Sequence, residues 1–388
     1  MTRSFDLFAA CLPGLEPLLS RELHTLGTEP RTMRGGVAFR GDARCAARAC
    51  LWLGTASHVL IRVAEFPCRA LGELQRKATL LPWREWLRPQ VPIEVHATSR
   101  ASRLYHTGAI AERIENAIGE AFGSPVRAPA AGDEVFARIH VRFANDVCTI
   151  SVDATTSPLH RRGWRLAGAK APLREDLAHA LLLASPWTPD TALLDPFCGS
   201  GTIAIEAAGL ALGLPPGRLR PPPLHHLALF DAETWLELRA EPSAPRGAGA
   251  IAASDRDAGA IDAARANAER AGVATRIDLS ANAFTQHPWL DDRGDAASAP
   301  RRGVLATNPP FGVRIGRSEG LGVLWQSLGH RARRLGPGWS VALLAHDVRL
   351  ARRCGMVLRA AWTTRHGGLS VTALVGEGTA AASTPASS

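Results

Sequence analysis

The sequence predicts an α/β protein in which a parallel, doubly wound sheet follows an α+β region. Three observations carry this expectation. From residue 192 onward short apolar runs alternate with segments of helical periodicity, the pattern of strands joined by crossover helices. Before that, two strand-like runs, Val135–Arg142 and Val147–Ala154, flank Ala144-Asn145-Asp146, a hairpin signal. A glycine-rich stretch, Gly199-Ser200-Gly201, then stands between the first strand of the α/β region and a helix, where the backbone of such folds approaches a ligand.

Along the N-terminal 66 residues, Phe5–Ala10 reads as a strand, and Leu15, Leu18, Leu19, Leu23 and Leu26 recur at helical spacing up to Gly27. Val37–Phe39 is a short strand between Gly35-Gly36 and Gly41-Asp42; Ala46–Leu53 reads as a helix and Val59–Phe66 as a strand. Residues 67–155 form a second module, with helices at Leu71–Leu80 and Thr107–Phe122 around a strand at Ile93–Ala97 and the hairpin described above; helices mixed with antiparallel strands make it an α+β module. Residues 156–175 read as a basic linker ending near Pro172.

In the α/β region (176–376) a helix carrying Leu177, Leu181 and Leu182 comes first. Strands follow at Ala192–Asp195, Ala250–Ser254, Arg276–Leu279, Gly303–Thr307 and Ser340–Ala345, with helices at Thr202–Leu212, Gly259–Ala271 and Leu321–Leu335. A last strand pair lies near Met356–Ala361 and Ser370–Val375. A proline-rich insertion at 213–249, holding a short helix at Ala232–Leu238, and the loop Asp291–Arg301 interrupt the pattern; the small, polar tail 377–388 reads as disordered.

Composition narrows the function classes. The hydrophobic fraction of 46% with 21% charged residues is ordinary for a globular chain. No apolar run approaches the ~20 residues that cross a bilayer. The first residues, with an acid and a proline inside the apolar stretch, do not read as a signal peptide. These features give the expectation of a soluble, cytoplasmic protein without membrane contact. Seven scattered cysteines, none in C-x2-C spacing, argue against a zinc site or a disulfide framework. The net charge is +9, and all but Lys77 and Lys170 of the 45 basic residues are arginines. Arginine suits phosphate and base recognition, while codon bias toward Ala, Arg, Gly and Pro gives the same excess; the charge is a modest hint of a polyanionic partner.

Three constellations carry chemistry. Asp195-Pro196-Phe197-Cys198-Gly199-Ser200-Gly201-Thr202 closes the first strand of the α/β region, where ligands of such sheets bind. Gly199-x-Gly201-x-x-Ala204 also fits a dinucleotide fingerprint, and a tight turn without a ligand is the plainer alternative. Ser254-Asp255-Arg256-Asp257 ends the second strand: an acid there accepts both hydroxyls of a ribose, or caps the next helix, the favoured role of Asp257. Asn308-Pro309-Pro310-Phe311-Gly312 ends the fourth strand; two prolines stiffen the backbone and remove two donors. The Asn308 amide oxygen and the Pro309 carbonyl then form an acceptor pair for an exocyclic amine of a base, with Phe311 as a stacking face. A simple turn is the alternative.

DPFCGSGT, SDRD and NPPFG, in that order, resemble the class I S-adenosylmethionine-dependent amino-methyltransferases. DLFAACLPGLEPLLSREL, GGVAFRGD, the stretch Ala97–Gly108, and HRRGWR followed by APLRE resemble the THUMP-containing RNA methyltransferases, in particular the bacterial 23S rRNA guanine-N2 methyltransferases in a short form not fused to a second methyltransferase. The resemblance implies a ferredoxin-like segment (1–66), a THUMP RNA-binding module (67–155) and a Rossmann-like methyltransferase domain. It also implies S-adenosylmethionine as cofactor, bound by Asp195, Phe197, Gly199, Gly201, Thr202, Asp255 and Asn282, the last standing where an acid is common. Asn308, Pro309 and Phe311 would hold the target guanine, whose N2 attacks the sulfonium methyl in line, with no dedicated base and no metal.

RNA contacts are expected from Arg100 and Arg103 and from Arg161, Arg162, Trp164 and Arg165 of the linker, joined by Lys170 and Arg174; a plain solvated linker is the alternative. Arg314 and Arg317 could touch flanking phosphates or simply face solvent. The expected partner is 23S rRNA, with tRNA as the alternative substrate, and the expected assembly is a monomer. Adenine-N6 methyl transfer shares the NPPF motif but brings a different target-recognition region, and an NAD-dependent oxidoreductase leaves Asn308-Pro309-Pro310-Phe311 unexplained.

Overall fold

In the computed structural model the described residues are 3–133, 135–165, 173–242, 244–290, 299–310 and 318–376. Phe311, Lys170, Arg314, Arg317 and the tail 377–388 lie outside them. The chain divides into two compact units: Met1–Cys11, Leu19–Leu159 and Arg220–Glu241 form the first; Leu12–Leu18, His160–Leu219 and Pro242–Ser388 form the second.

The elements up to residue 153 are β1 (Phe5–Cys11), α1 (Glu16–Thr25), β2 (Arg31–Met33), β3 (Gly36–Gly41), α2 (Ala43–Trp52), β4 (Ala56–Pro67), α3 (Leu71–Thr79), α4 (Trp83–Trp86), β5 (Ile93–Arg100), α5 (Thr107–Phe122), β6 (Ala137–Ala144) and β7 (Val147–Asp153). β1 alternates buried Phe5, Leu7, Ala9 and Cys11 with more exposed residues, so one face of the strand is core. The Asp42 carboxylate caps α2 by accepting from the Cys45 amide at 2.8 Å. Asn145 and Asp146 both take positive φ, 51° and 63°, as the two-residue turn between β6 and β7 requires.

These strands form one seven-stranded sheet in the order β2-β3-β1-β4-β7-β6-β5. The β4–β7 pairing, with Leu60 opposite Asp153, joins the modules expected at 1–66 and 67–155 through hydrogen-bonded strands of one sheet. One expectation changes here: β5 runs parallel to β6, with His96 opposite His140, because the α5 crossover returns the chain in the same direction. Trp83, in the short helix α4 that periodicity did not reveal, is buried with its indole N–H on the Ala78 carbonyl at 2.8 Å.

The remaining elements are α6 (Glu175–Ala184), β8 (Ala192–Asp195), α7 (Thr202–Ala211), α8 (Ala232–Ala240), β9 (Ile251–Asp255), α9 (Ala258–Arg270), β10 (Asp278–Ala281), β11 (Gly303–Thr307), α10 (Ser318–Arg334), β12 (Trp339–Ala345), α11 (Val348–Ala351), β13 (Arg359–His366) and β14 (Leu369–Gly376). The second sheet has the order β10-β9-β8-β11-β12-β14-β13. Its first five strands are parallel, and β14 is antiparallel to both of its neighbours. Leu194, Leu305, Val341 and Leu343 from the central strands pack with Trp325 and Leu328 of α10, which explains the continuous apolar runs of these strands. From β8 the chain winds toward β9 and β10, and from β11 it winds toward β12. The reversal of direction therefore falls between β8 and β11.

Residues Arg220–Glu241, in the middle of the expected insertion, belong to the first unit. Leu224 donates its amide to the Ala154 carbonyl at 2.8 Å, His226 Nε2 lies 2.7 Å from the Asp153 carbonyl, and the buried Arg220 guanidinium donates to the carbonyls of Leu159 and Cys50. Leu227 pairs with Leu87 in an isolated bridge. The middle of the insertion is thus a structural part of the N-terminal unit, and its two ends belong to the second.

Candidate active site

The carboxyl ends of β10, β9, β8 and β11 are adjacent and bring together Asn282, Asp255, Asp195 and Asn308. Ligands in open parallel sheets bind at such a reversal point. Asp195, the last residue of β8, is buried, and its Oδ1 accepts from the Thr307 hydroxyl at 2.6 Å and from the Phe197 amide at 3.3 Å. Burial pushes its carboxyl up to about 7, with nearby Asp255 adding to the rise and the two hydrogen bonds resisting it.

Asp255 ends β9. Its Oδ2 accepts from the Gly199 amide and its Oδ1 from the Asp257 amide, both at 3.0 Å, so the carboxylate holds the glycine turn in place. Asp257 caps α9 through the Gly259 amide at 2.9 Å. Gly199 and Gly201 have φ of +51° and +85°. A Cβ on Gly199 would point into open space, which leaves room for a ligand at that backbone, whereas one on Gly201 would press on Ala264 at 3.1 Å. Gly201 therefore serves helix packing as well as the turn. Burial drives the Cys198 thiol far above its usual range, so it stays protonated and unreactive, as a packed small residue should.

Phe197 is partly buried with its ring 5.0 Å from that of Phe284, so the two aromatic residues stand side by side at this end of the sheet. Asn282, just after β10, is half-buried. On the other side of Asp195, Asn308 and Pro309 follow β11 directly. Asn308 Oδ1 is buried and accepts no hydrogen bond among the described residues. A buried amide oxygen without a donor is costly, and in a binding site it marks the place of a ligand N–H or O–H.

Part of the expected RNA-binding linker is instead built into the second unit. Arg162 is 2% exposed and pairs with the buried Glu206 of α7 at 3.1 Å, while His179 Nδ1 lies 2.8 Å from the same carboxylate. Burial alone would raise the Glu206 carboxyl, but Arg162 and His179 outweigh it and hold it at about 2. Trp164 is likewise 2% exposed. Neither side chain reaches solvent, so the expectation that Arg162 and Trp164 contact RNA is corrected: a buried carboxylate claims the first and the core claims the second.

Arg165, also expected among the RNA contacts, is part-buried and bound within the second unit. Its guanidinium donates to the Ser200 and Thr202 hydroxyls, each at 2.8 Å, and to Glu175 Oε1 at 2.9 Å. It holds the glycine turn at Ser200 and Thr202, a role with no signature in the sequence because these partners lie 35 and 37 residues away. Among the expected RNA-binding residues, Arg100, Arg103 and Arg161 are exposed. Arg100 and Arg103 stand at the end of β5 beside Tyr105, which is 67% exposed and packs on the His106 ring at 4.1 Å.

A doubly wound sheet with strand order β10-β9-β8-β11-β12-β14-β13, an acidic first strand end and a glycine turn defines a class I methyltransferase fold. Residues 162–372 match the family described as the RMKL-like methyltransferase domain, and the chain belongs to that family. Residues 6–60 match the RlmL ferredoxin-like domain and 68–153 the THUMP domain. The chain is 34% identical over 374 residues to the ribosomal RNA large subunit methyltransferase K/L of Syntrophotalea carbinolica, covering 92% of this chain and 51% of the relative. It thus spans about half the length of that relative. It is also 31% identical to a putative RNA methyltransferase of Synechocystis, with 95% of each chain covered. A crystal structure of SMU.472, a putative methyltransferase complexed with SAH, superposes with a TM-score of 0.85 at 26% identity, covering 97% of this chain and 99% of that one. No helix among the described residues is long and apolar enough to cross a membrane.

Proposed function

We propose that this chain is an S-adenosylmethionine-dependent RNA methyltransferase that modifies the exocyclic N2 amine of a guanine in large-subunit (23S) rRNA. The observation that carries the reading is the buried, unpartnered Asn308 Oδ1 at the β11 end, with Asp195 on the next strand of the sheet and Asp255 on the one beyond. The relatives named for rRNA methylation and the THUMP match support RNA as the substrate class.

When bound, S-adenosylmethionine supplies an electrophilic methyl group on a sulfonium. The residues present suit it. Asp255, already ordered by two backbone amides, keeps free lone pairs for ribose hydroxyls. The open space over Gly199 admits the methionine end, and Asn282 offers an amide to the adenine edge. Phe197 and Phe284 supply apolar surface.

Asn308 and Pro309 act on the other substrate. The lone pair of a guanine amine is delocalised into the ring, so the free base is a poor nucleophile. Accepting both N–H bonds, at Asn308 Oδ1 and the Pro309 carbonyl, favours a pyramidal nitrogen with its lone pair turned toward the methyl group. The amine proton leaves after the new N–C bond has formed, so no side chain need act as a base. Positioning supplies most of the acceleration.

Nucleoside mass spectrometry on rRNA and tRNA from a strain lacking the gene tests the assignment. Loss of N2-methylguanosine at one 23S position is the expected result, and an intact rRNA profile with a tRNA mark missing overturns the substrate.

A further inference from the structure

In the N-terminal unit, the adjacent strands β4, β7 and β6 bring His58, Asp153 and His140 together, the one group of three or more metal-ligating side chains that converges among the described residues. Asp153 Oδ2 lies 2.7 Å from His58 Nδ1 and 3.4 Å from His140 Nε2, and the three atoms all fall within 4.8 Å of one another. We propose that these three side chains form a binding site for one divalent transition-metal ion of the zinc type, stapling the centre of the N-terminal sheet.

The two separations from Asp153 are near those of a loaded site, and the two imidazoles stand within 4.8 Å of each other. Zinc bonds to nitrogen and carboxylate oxygen are about 2.0–2.2 Å, so tetrahedral ligands stand roughly 3.3 Å apart. The His140–Asp153 separation already matches at 3.4 Å, and His58 must withdraw by roughly half an ångström from its 2.7 Å contact. All three ligands sit on paired strands, so no loop has to close around the ion.

The surroundings favour a cation. The Asp153 carboxylate is wholly buried, and its second oxygen is fixed by the Thr155 amide at 2.9 Å and hydroxyl at 2.6 Å. That is the outer hydrogen bonding that orients a ligating carboxylate. His96 stacks on His140, with centroids 5.9 Å apart and planes 18° from parallel, and so restrains that ring. Arg138 donates Nε to Glu94 at 2.8 Å and stands with Nη1 3.8 Å from Asp153 Oδ2, beyond hydrogen-bond reach, so the two acids outnumber the one fixed cation. The His58 and His140 side chains are 22% and 28% exposed, so the cluster borders solvent on the side of the imidazoles. Imidazole and carboxylate donors without thiolate suit zinc, cobalt or nickel rather than calcium or magnesium.

The test uses the full chain without a polyhistidine tag, stripped of metal and titrated with Zn²⁺ or Co²⁺. One equivalent per chain is expected, with a Co²⁺ spectrum free of thiolate charge transfer and a higher thermal midpoint for the loaded protein. His58→Ala and His140→Ala should each weaken Co²⁺ binding by more than about a hundredfold, and Thr155→Val by about 10–100-fold. Cys45→Ser should leave it unchanged. Circular dichroism confirms that each variant is folded before titration. Absence of stoichiometric binding, or binding that persists in folded His58→Ala and His140→Ala proteins, overturns the site.

Discussion

The Thr307 hydroxyl donates to Asp195 Oδ1 across 2.6 Å, joining the ends of β11 and β8 at the point where the sheet reverses its winding. This bond ties the buried carboxyl of Asp195 to the residue that precedes Asn308, so the acid at one strand end and the amide at the next are linked through one hydroxyl.

The raised Asp195 carboxyl has a measurable cost. From the ordinary value of 3.8 up to about 7 the folded chain holds a proton that the unfolded chain has released, so stability falls as pH rises across that window. Asp195→Asn should therefore gain stability at pH 8 over wild type, by at most about 4 kcal/mol, and much less at pH 4. Chemical denaturation at both pH values checks this. A cationic ligand beside Asp195 favours the ionised form, so S-adenosylmethionine affinity should rise with pH through 7 in wild type and lose that rise in Asp195→Asn.

Asn308→Ala removes the unpartnered acceptor and little else. Calorimetry should find cofactor binding retained, while single-turnover methylation falls by about a hundredfold or more. Full turnover in this variant would sink the amine-activation role.

Asp255→Ala loses the anchor of the glycine turn as well as the proposed ribose acceptor. A charged hydrogen bond is worth about 1.5–3 kcal/mol, which corresponds to roughly 10–150-fold weaker cofactor binding by calorimetry. An unchanged affinity places the ribose elsewhere.

Arg162→Ala separates folding from RNA binding. It leaves Glu206 buried without its guanidinium, a loss of about 3–5 kcal/mol in a denaturation titration. The carboxyl held at about 2 stabilises the fold above its ordinary 4.5, a contribution lost as pH falls from there toward 2. RNA affinity of the folded protein should be unaffected. A selective loss of RNA binding with full stability would restore the original assignment for this residue.

The exposed arginines make the opposite prediction. Arg100→Ala with Arg103→Ala should leave the melting temperature unchanged and weaken binding of rRNA fragments. The slope of log affinity against log salt should drop by about 1–2. A filter-binding series at several salt concentrations reads both effects.

Much of the catalytic fold was legible because its signals are contiguous. Asp195 to Thr202 and Asp255 to Asp257 each hold a strand end, a turn and a helix start within a few residues, and β8 and β11 appear at the expected residues, as does α5 in the N-terminal unit. What local pattern does not carry is partner choice at long range. Arg162 reads as an RNA-contacting linker arginine until Glu206, 44 residues later, is placed beside it. The parallel β5–β6 pairing depends on where α5 returns the chain, and the His58, His140 and Asp153 cluster assembles only when three strands align. Segment 220–241 looked like an appendage because its apolar residues, Leu224, Leu227, Trp235 and Leu238, find their cover in strands and helices far earlier in the chain.

That excursion imposes an order on how the polypeptide matures as it is made. The N-terminal unit cannot complete its packing when residue 159 emerges; its last piece, Arg220–Glu241, is still unmade, and β8 and α7 of the other sheet are synthesised first. Release of residues 1–155 as a free fragment would expose the apolar seat of that late piece, so a nascent chain stalled near residue 219 should recruit chaperones that one stalled past residue 241 does not.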